Sequence, residues 1–160
     1  MMQELRRRDM SEWKETTLDM RRVTRGVKGG KRFRCRATIV IGNGRGSVGV
    51  GVAKGADVAQ AIAKAKERAK KTLITVIIRN KTIPHEVEAK YSAARVFLKP
   101  AKEGAGVKAG GAPRVVLSLA GVENVTAKCI GRTANKLTNA MATMHALKML
   151  RQKKHTYAAE

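Results

Sequence analysis

From Lys31 to Ile41 the side chains alternate: Phe33, Cys35, Ala37, Ile39 and Ile41 fall on one side, and Arg32, Arg34, Arg36 and Thr38 on the other. This pattern predicts a long strand with one core face and one cationic face. An extended piece near residues 21–25 and a loop, Gly26-Val27-Lys28-Gly29-Gly30, precede it. The run Gly42-Asn43-Gly44-Arg45-Gly46 follows, and its Asn-Gly pair is a strong reversal signal. Beyond it Val48, Val50 and Val52 alternate with Gly49 and Gly51, which predicts a hairpin with one unusually bare face.

Asp57 is placed to cap a helix running to about Lys71, with Val58, Ile62, Ala65, Ala69 and Leu73 recurring at helical spacing as its core stripe. Lys64, Arg68 and Lys71 form a separate basic stripe. The β-branched run Leu73–Ile78 predicts a strand and the start of a second domain. Asn80-Lys81 is a turn candidate. Ile83, His85, Val87, Ala89 and Tyr91 then alternate with polar residues, and a further strand, Arg95–Lys99, stops at Pro100. A glycine-rich basic loop, residues 104–111, leads to a helix opened by Ala112-Pro113, carrying Val115, Val116 and Leu119, and ended by Gly121. A strand from Val125 to Ile130 and a helix from about Asn135 to Leu150 complete the second domain. The last helix carries Leu137, Ala140, Met141, Met144 and Leu147 on one face, its methionines read as core.

The expected class is α+β with two domains, residues 21–72 and 73–150. They are flanked by an N-terminal extension, 1–20, and a basic tail, 151–160. The extension has no sustained period and reads as a short helix or as a segment ordered by a partner, with Trp13 as its hydrophobic anchor.

Charge changes the picture most. The chain carries a formal net charge of +22 over 160 residues, and no acidic side chain occurs between Arg21 and Arg36. Such an excess strains a compact fold by self-repulsion and suits a polyanionic partner whose phosphates neutralise it. Aromatic residues make up only 3% of the chain, which favours recognition of backbone and groove over broad base stacking. The candidate phosphate contacts are Arg21, Arg22, Arg25, Lys28, Lys31, Arg32, Arg34 and Arg45, with Gly29 and Gly30 in the loop and Lys64 and Arg68 on the helix. The bare glycine face would let another backbone or an RNA approach closely; a tightly packed helix explains it as well.

Other chemistries find little support. Cys35 and Cys129 are far apart and form no ligand pair, and His85, His145 and His155 have no metal-ligand spacing, so neither a metal nor a cofactor is expected. His85 reads as a packed or edge histidine. Gly44-Arg45-Gly46-Ser47-Val48-Gly49 fits a dinucleotide fingerprint in letters only, because a strand follows where a helix is required. Gly26-Val27-Lys28-Gly29 fits the loop of a KH module, but here it joins two strands. No apolar segment is long enough to span a membrane, and none has the character of a secretory signal. The reading is a non-enzymatic, cytoplasmic protein.

Four segments in order carry a more specific signal: Val27-Lys28-Gly29-Gly30-Lys31-Arg32-Phe33; residues 42–51; Ala109-Gly110-Gly111-Ala112-Pro113-Arg114; and Leu119-Ala120-Gly121-Val122-Glu123-Asn124-Val125. Together they resemble the family of the fifth protein of the bacterial small ribosomal subunit, from about residue 13 to 150. The resemblance implies an N-terminal double-stranded-RNA-binding-like domain with a three-stranded antiparallel sheet and a helix. It implies a C-terminal α/β domain with a left-handed βαβ crossover. It further implies binding to small-subunit ribosomal RNA near the central junction and decoding region, a role in assembly and fidelity, and a place near the path by which messenger RNA enters. The implied neighbours are the fourth and eighth small-subunit proteins. By the same resemblance, Gly26 to Lys31 is the loop reaching the head–body junction near the spectinomycin site. Gly104, Gly106, Lys108 and Arg114 lie in the segment facing the fourth protein. Val50 and Val52 stand where the family often has aromatic residues, and residues 131–136 depart from its pattern by what looks like one extra residue. A free-standing double-stranded-RNA-binding regulator is the alternative reading.

Overall fold

The computed structural model describes residues 13–151; the expectations for the first twelve residues and for the tail beyond Arg151 lie outside the described residues. Strands β1 (Lys14–Val27), β2 (Gly30–Gly42), β3 (Ser47–Gly55) and β4 (Ile74–Thr75) form an antiparallel sheet in that order. Residues 14–20 are therefore the first half of a 14-residue strand, neither helix nor free extension. A bulge between Thr17 and Asp19 turns Leu18 into the core, which hides the period-two signal there. The run predicted as a strand over 73–78 pairs only at Ile74 and Thr75.

Helix α1 (Val58–Lys71) covers one face of this sheet, and the alternating glycines of β3 are explained by it. A Cβ on Gly51 would lie 2.1 Å from the carbonyl oxygen of Ala65, and one on Gly49 would lie 2.4 Å from that of Ala69. With no side chains on the strand, only small residues fit on the helix, so its buried stripe is Ala61, Ala65 and Ala69. The predicted stripe was displaced toward larger residues: Val58 is exposed and Ile62 half-buried. This close approach forms a small core of Ala37, Ile39, Ile41 and Ala53 with the three alanines.

The second unit contains β5 (Val87–Tyr91), β6 (Ala94–Pro100), β7 (Val107–Lys108), helix α2 (Gly111–Ala120), β8 (Val125–Cys129) and helix α3 (Lys136–Lys148). Its sheet runs β5-β6-β8-β7; β7 and β8 are parallel and joined through α2, which makes the crossover unit. The strand expected from Ile83 begins only at Val87, because Pro84 has no N–H to give a ladder. Gly121 ends α2 in the left-handed region, φ 86°, where a Cβ would be strained. Asn135 caps α3 by accepting a hydrogen bond from the Leu137 N–H at 3.1 Å, so the segment with the altered pattern still starts a helix cleanly. Helix α3 buries Ala140, Met144 and Leu147 as expected, and also Asn139, Ala142, Thr143 and Ala146; Leu137 and Met141 are only half-buried.

The two units share one core. Leu18, Val40, Val48 and Val50 of the first sheet pack with Val116, Leu117 and Leu119 of α2 and with Leu98 and Leu147. The turn after β2 is tied to the end of α2: the Gly44 N–H donates to the Leu119 carbonyl at 3.0 Å, and the Gly46 N–H to that of Ala120 at 2.8 Å. The side of β2 predicted to be cationic is thus buried at Thr38 and Val40, and charged only beyond them.

Candidate nucleic-acid interface

Past Cys35 the strands β1 and β2 leave both cores and project as a two-stranded ribbon closed by Lys28 and Gly29. The register places Arg21 opposite Arg36, Val23 opposite Arg34, and Arg25 opposite Arg32. Arg36 is in turn opposite Lys54 on β3. Opposed residues share a face. Arg21, Arg25, Arg32, Arg34, Arg36 and Lys54 therefore form one array, which lines, through Val23, Thr24, Arg25, Val27, Arg32, Arg34 and Lys54, a concavity of about 310 Å³. Asp19 at the ribbon's base is paired with Arg21 at 2.7 Å. Like charges directly opposed across a ladder are destabilising, so this array costs the free fold stability.

Sequence reasoning passed over Lys54: a two-residue loop at Asn43-Gly44 would pair Gly42 with Arg45 and set Lys54 against Phe33, whereas the longer loop observed pairs Gly42 with Val48 and sets Lys54 against Arg36. The opposite face of the ribbon carries Arg22, Lys31 and Phe33. Phe33 was expected in the core, but is 48% exposed, with the Arg22 guanidinium carbon 3.9 Å from its ring centroid. Helix α1 begins at Val58, above Gly55, and Gly55 pairs with Cys35; the ribbon beyond Cys35 has no helix to cover it.

The remaining candidates are not all in one place. Arg45 sits in the turn after β2, about 40 Å from the ribbon's tip by the rise of a strand from Gly30 to Gly42. The Asn43 Oδ1 holds that turn, accepting from the Arg45 N–H at 2.8 Å and the Ser47 N–H at 3.0 Å. Lys64 is exposed on α1, on the face of the sheet away from the arginine array. The Arg68 guanidinium donates to the Val52 carbonyl at 2.7 Å, and the Thr72 hydroxyl to that of Val50 at 2.8 Å. These two side chains cap the open edge of β3.

Gly104, Gly106, Lys108 and Arg114 collect on the second unit. The Gly106 N–H donates to Asn124 Oδ1 at 3.1 Å, and its carbonyl accepts from the Val125 N–H at 3.2 Å, which fixes the loop to the start of β8. Lys108 and Arg114 are exposed. A polar hollow beside the loop is lined by Lys81, Glu103, Glu123 and Asn124, with Lys81 and Glu123 paired at 3.2 Å. His85 is half-buried and Cys129 partly so; burial pushes the Cys129 thiol up, against a smaller opposing effect of Lys128. Among the described residues no group of His, Cys, Asp and Glu is arranged to hold a metal ion, and no helix is long and apolar enough to cross a membrane.

Residues 13–77 match the family pattern of the ribosomal protein S5 N-terminal domain, and residues 89–160 that of the ribosomal protein S5 C-terminal domain. The small ribosomal subunit protein uS5 of Acaryochloris marina is 50% identical over 142 residues, covering 88% of this chain and 80% of the relative. That of Synechococcus elongatus is 49% identical over 142 residues, covering 88% and 78%. The uS5c of Spinacia oleracea is 49% identical over 141 residues, covering 88% of this chain and 46% of that longer relative.

Proposed function

The chain belongs to the ribosomal protein S5 family, a structural component of the small ribosomal subunit and not an enzyme, and we propose that it holds ribosomal RNA through the β1–β2 ribbon. The observation that carries this reading is the opposition of Arg21, Arg36 and Lys54 across three strands, with Arg25 against Arg32 beyond them. Phosphates laid along the ribbon would relieve that repulsion, and fixed spacing along a strand ladder favours a backbone of matching shape over a particular base sequence. Lys28 and Lys31 at the tip extend the grip, Arg22 adds charge on the second face, and Arg45 and Lys64 offer separate contacts at a distance.

In this reading the protein lies near the central junction and decoding region of the small-subunit RNA, close to where messenger RNA enters, and serves subunit assembly and fidelity. In this reading Gly104, Gly106, Lys108 and Arg114 face the fourth small-subunit protein, and the eighth lies against another surface. Fixing of the loop by Asn124 supports it as a preformed protein contact.

The test is competition binding of the full chain to a folded small-subunit ribosomal RNA fragment against random duplex RNA at low and high salt. Preference for the ribosomal fragment should survive high salt. Neutralising Lys28 and Lys31 together should weaken binding and lower the salt slope by at most about two phosphate equivalents. Equal displacement by both RNAs would favour a general duplex-binding regulator, and an unchanged slope would remove the tip from the interface.

A further inference from the structure

We propose that Phe33 and Arg22 form a stacking platform for one unpaired base of the bound RNA, on the face of the ribbon opposite the arginine array. The inference rests on the ribbon being an RNA interface and adds what the second face reads.

Several observations converge on it. Phe33 is the exposed aromatic side chain among the described residues' large exposed hydrophobics, at 48%, in a chain that has only two phenylalanines. It lies on the projecting part of β2, opposite Thr24, where neither core reaches it. The Arg22 guanidinium, 3.9 Å from the ring centroid, covers one side of the ring and leaves an amphipathic layer of planar cation over aromatic face. Arg22 is opposite Cys35, so this pair is set diagonally across the ladder and its geometry is fixed by the strands. Lys31 lies two residues before Phe33 on the same face, within reach of the phosphate of a nucleotide seated there.

A protein surface of this charge has no use for an exposed Phe in solubility or in phosphate binding. A base supplies a π-face that stacks on the ring or on the guanidinium plane without demanding a particular sequence. With phosphates held on one face of the ribbon and a base on the other, the preferred substrate is a structured RNA with a nucleotide unpaired beside a helix, rather than an uninterrupted duplex.

The experiment uses the full chain and two RNA hairpins, one with a fluorescent adenine analogue in a single-nucleotide bulge and one fully paired. The wild type should bind the bulged hairpin more tightly and quench its fluorescence. Phe33→Leu should lose roughly 5- to 100-fold in affinity for the bulged hairpin, together with the quench, and keep its affinity for the paired one and its salt slope. Arg22→Lys, which keeps the charge and removes the plane, should lose part of the quench at nearly constant salt slope. Equal binding of both hairpins by the wild type, or a Phe33→Leu protein that binds and quenches like the wild type, would overturn the platform. A parallel Arg25→Gln, Arg32→Gln variant separates the two readings: a lower salt slope with both hairpins keeps the RNA interface whatever Phe33 does, and an unchanged slope and affinity would sink the interface itself. Matching thermal unfolding of the variants and wild type excludes misfolding as the cause of a loss.

Discussion

Arg25 stands directly opposite Arg32 across the β1–β2 ladder, with no acidic residue on either strand between them and the tip. Such a pair costs the free protein stability, a cost that a bound anion would offset. Replacing Arg25 with Gln should therefore raise the stability of the unbound chain by roughly 0.2–1 kcal/mol at low salt while weakening RNA binding. Thermal unfolding in low and high salt checks it: the gain should shrink as salt screens the wild-type pair. A variant less stable than the wild type at every salt concentration would show that Arg25 serves the fold.

Gly51 is required by the approach of α1. Gly51→Ala puts a methyl group 2.1 Å from the Ala65 carbonyl oxygen and 2.5 Å from the Ala69 nitrogen, both backbone atoms that cannot swing away. The expected loss is roughly 1–3 kcal/mol, read as a lower urea midpoint. Gly29→Ala, where nothing lies within 4 Å of the added atom, is the matched control and should change stability far less.

Arg68 has a structural duty that the basic stripe on α1 did not reveal. Its guanidinium satisfies the Val52 carbonyl on the open edge of β3. Arg68→Gln should lower stability by roughly 0.5–1.5 kcal/mol and alter the RNA salt slope less than Arg25→Gln does. Urea unfolding and salt-titrated binding on the same two variants give the comparison. A slope change equal to that of Arg25→Gln would place Arg68 on the RNA.

Burial raises the Cys129 thiol above its ordinary range, so the folded protein favours the neutral form. The contribution to stability is complete below the unfolded thiol's pKa and is lost as pH rises through the folded one, from about pH 8 upward. Cys129→Ala should flatten the fall of the urea midpoint with pH in that range. An identical fall in variant and wild type would mean that other groups cause it.

Much of the first unit was legible because local rules agreed. The Asn43-Gly44 turn, the alternation around it and the helix after Asp57 needed only steric preference and period, and they appear as β2, β3 and α1. The helix end at Gly121 was legible for the same reason, whereas the cap at Asn135 emerged only from the structure. Residues 14–20 were not, because a bulge at Leu18 breaks the alternation and because pairing with a distant strand, not local preference, makes them extended. Pro84 was in plain view and shortens the strand after it.

The candidate site divides along the same line. Its charge, its glycines and its reversal points follow from residue types alone, because net charge and backbone freedom are properties each residue carries with it. Which cations stand together depends on strand register and on where the cores end. Those relations set Lys54 beside Arg36, carried Arg45 to the far end of the sheet, turned Arg68 onto the edge of β3, and left Phe33 uncovered beyond the reach of α1. Contacts between residues far apart in sequence have no local signature, so only the packed structure decides them.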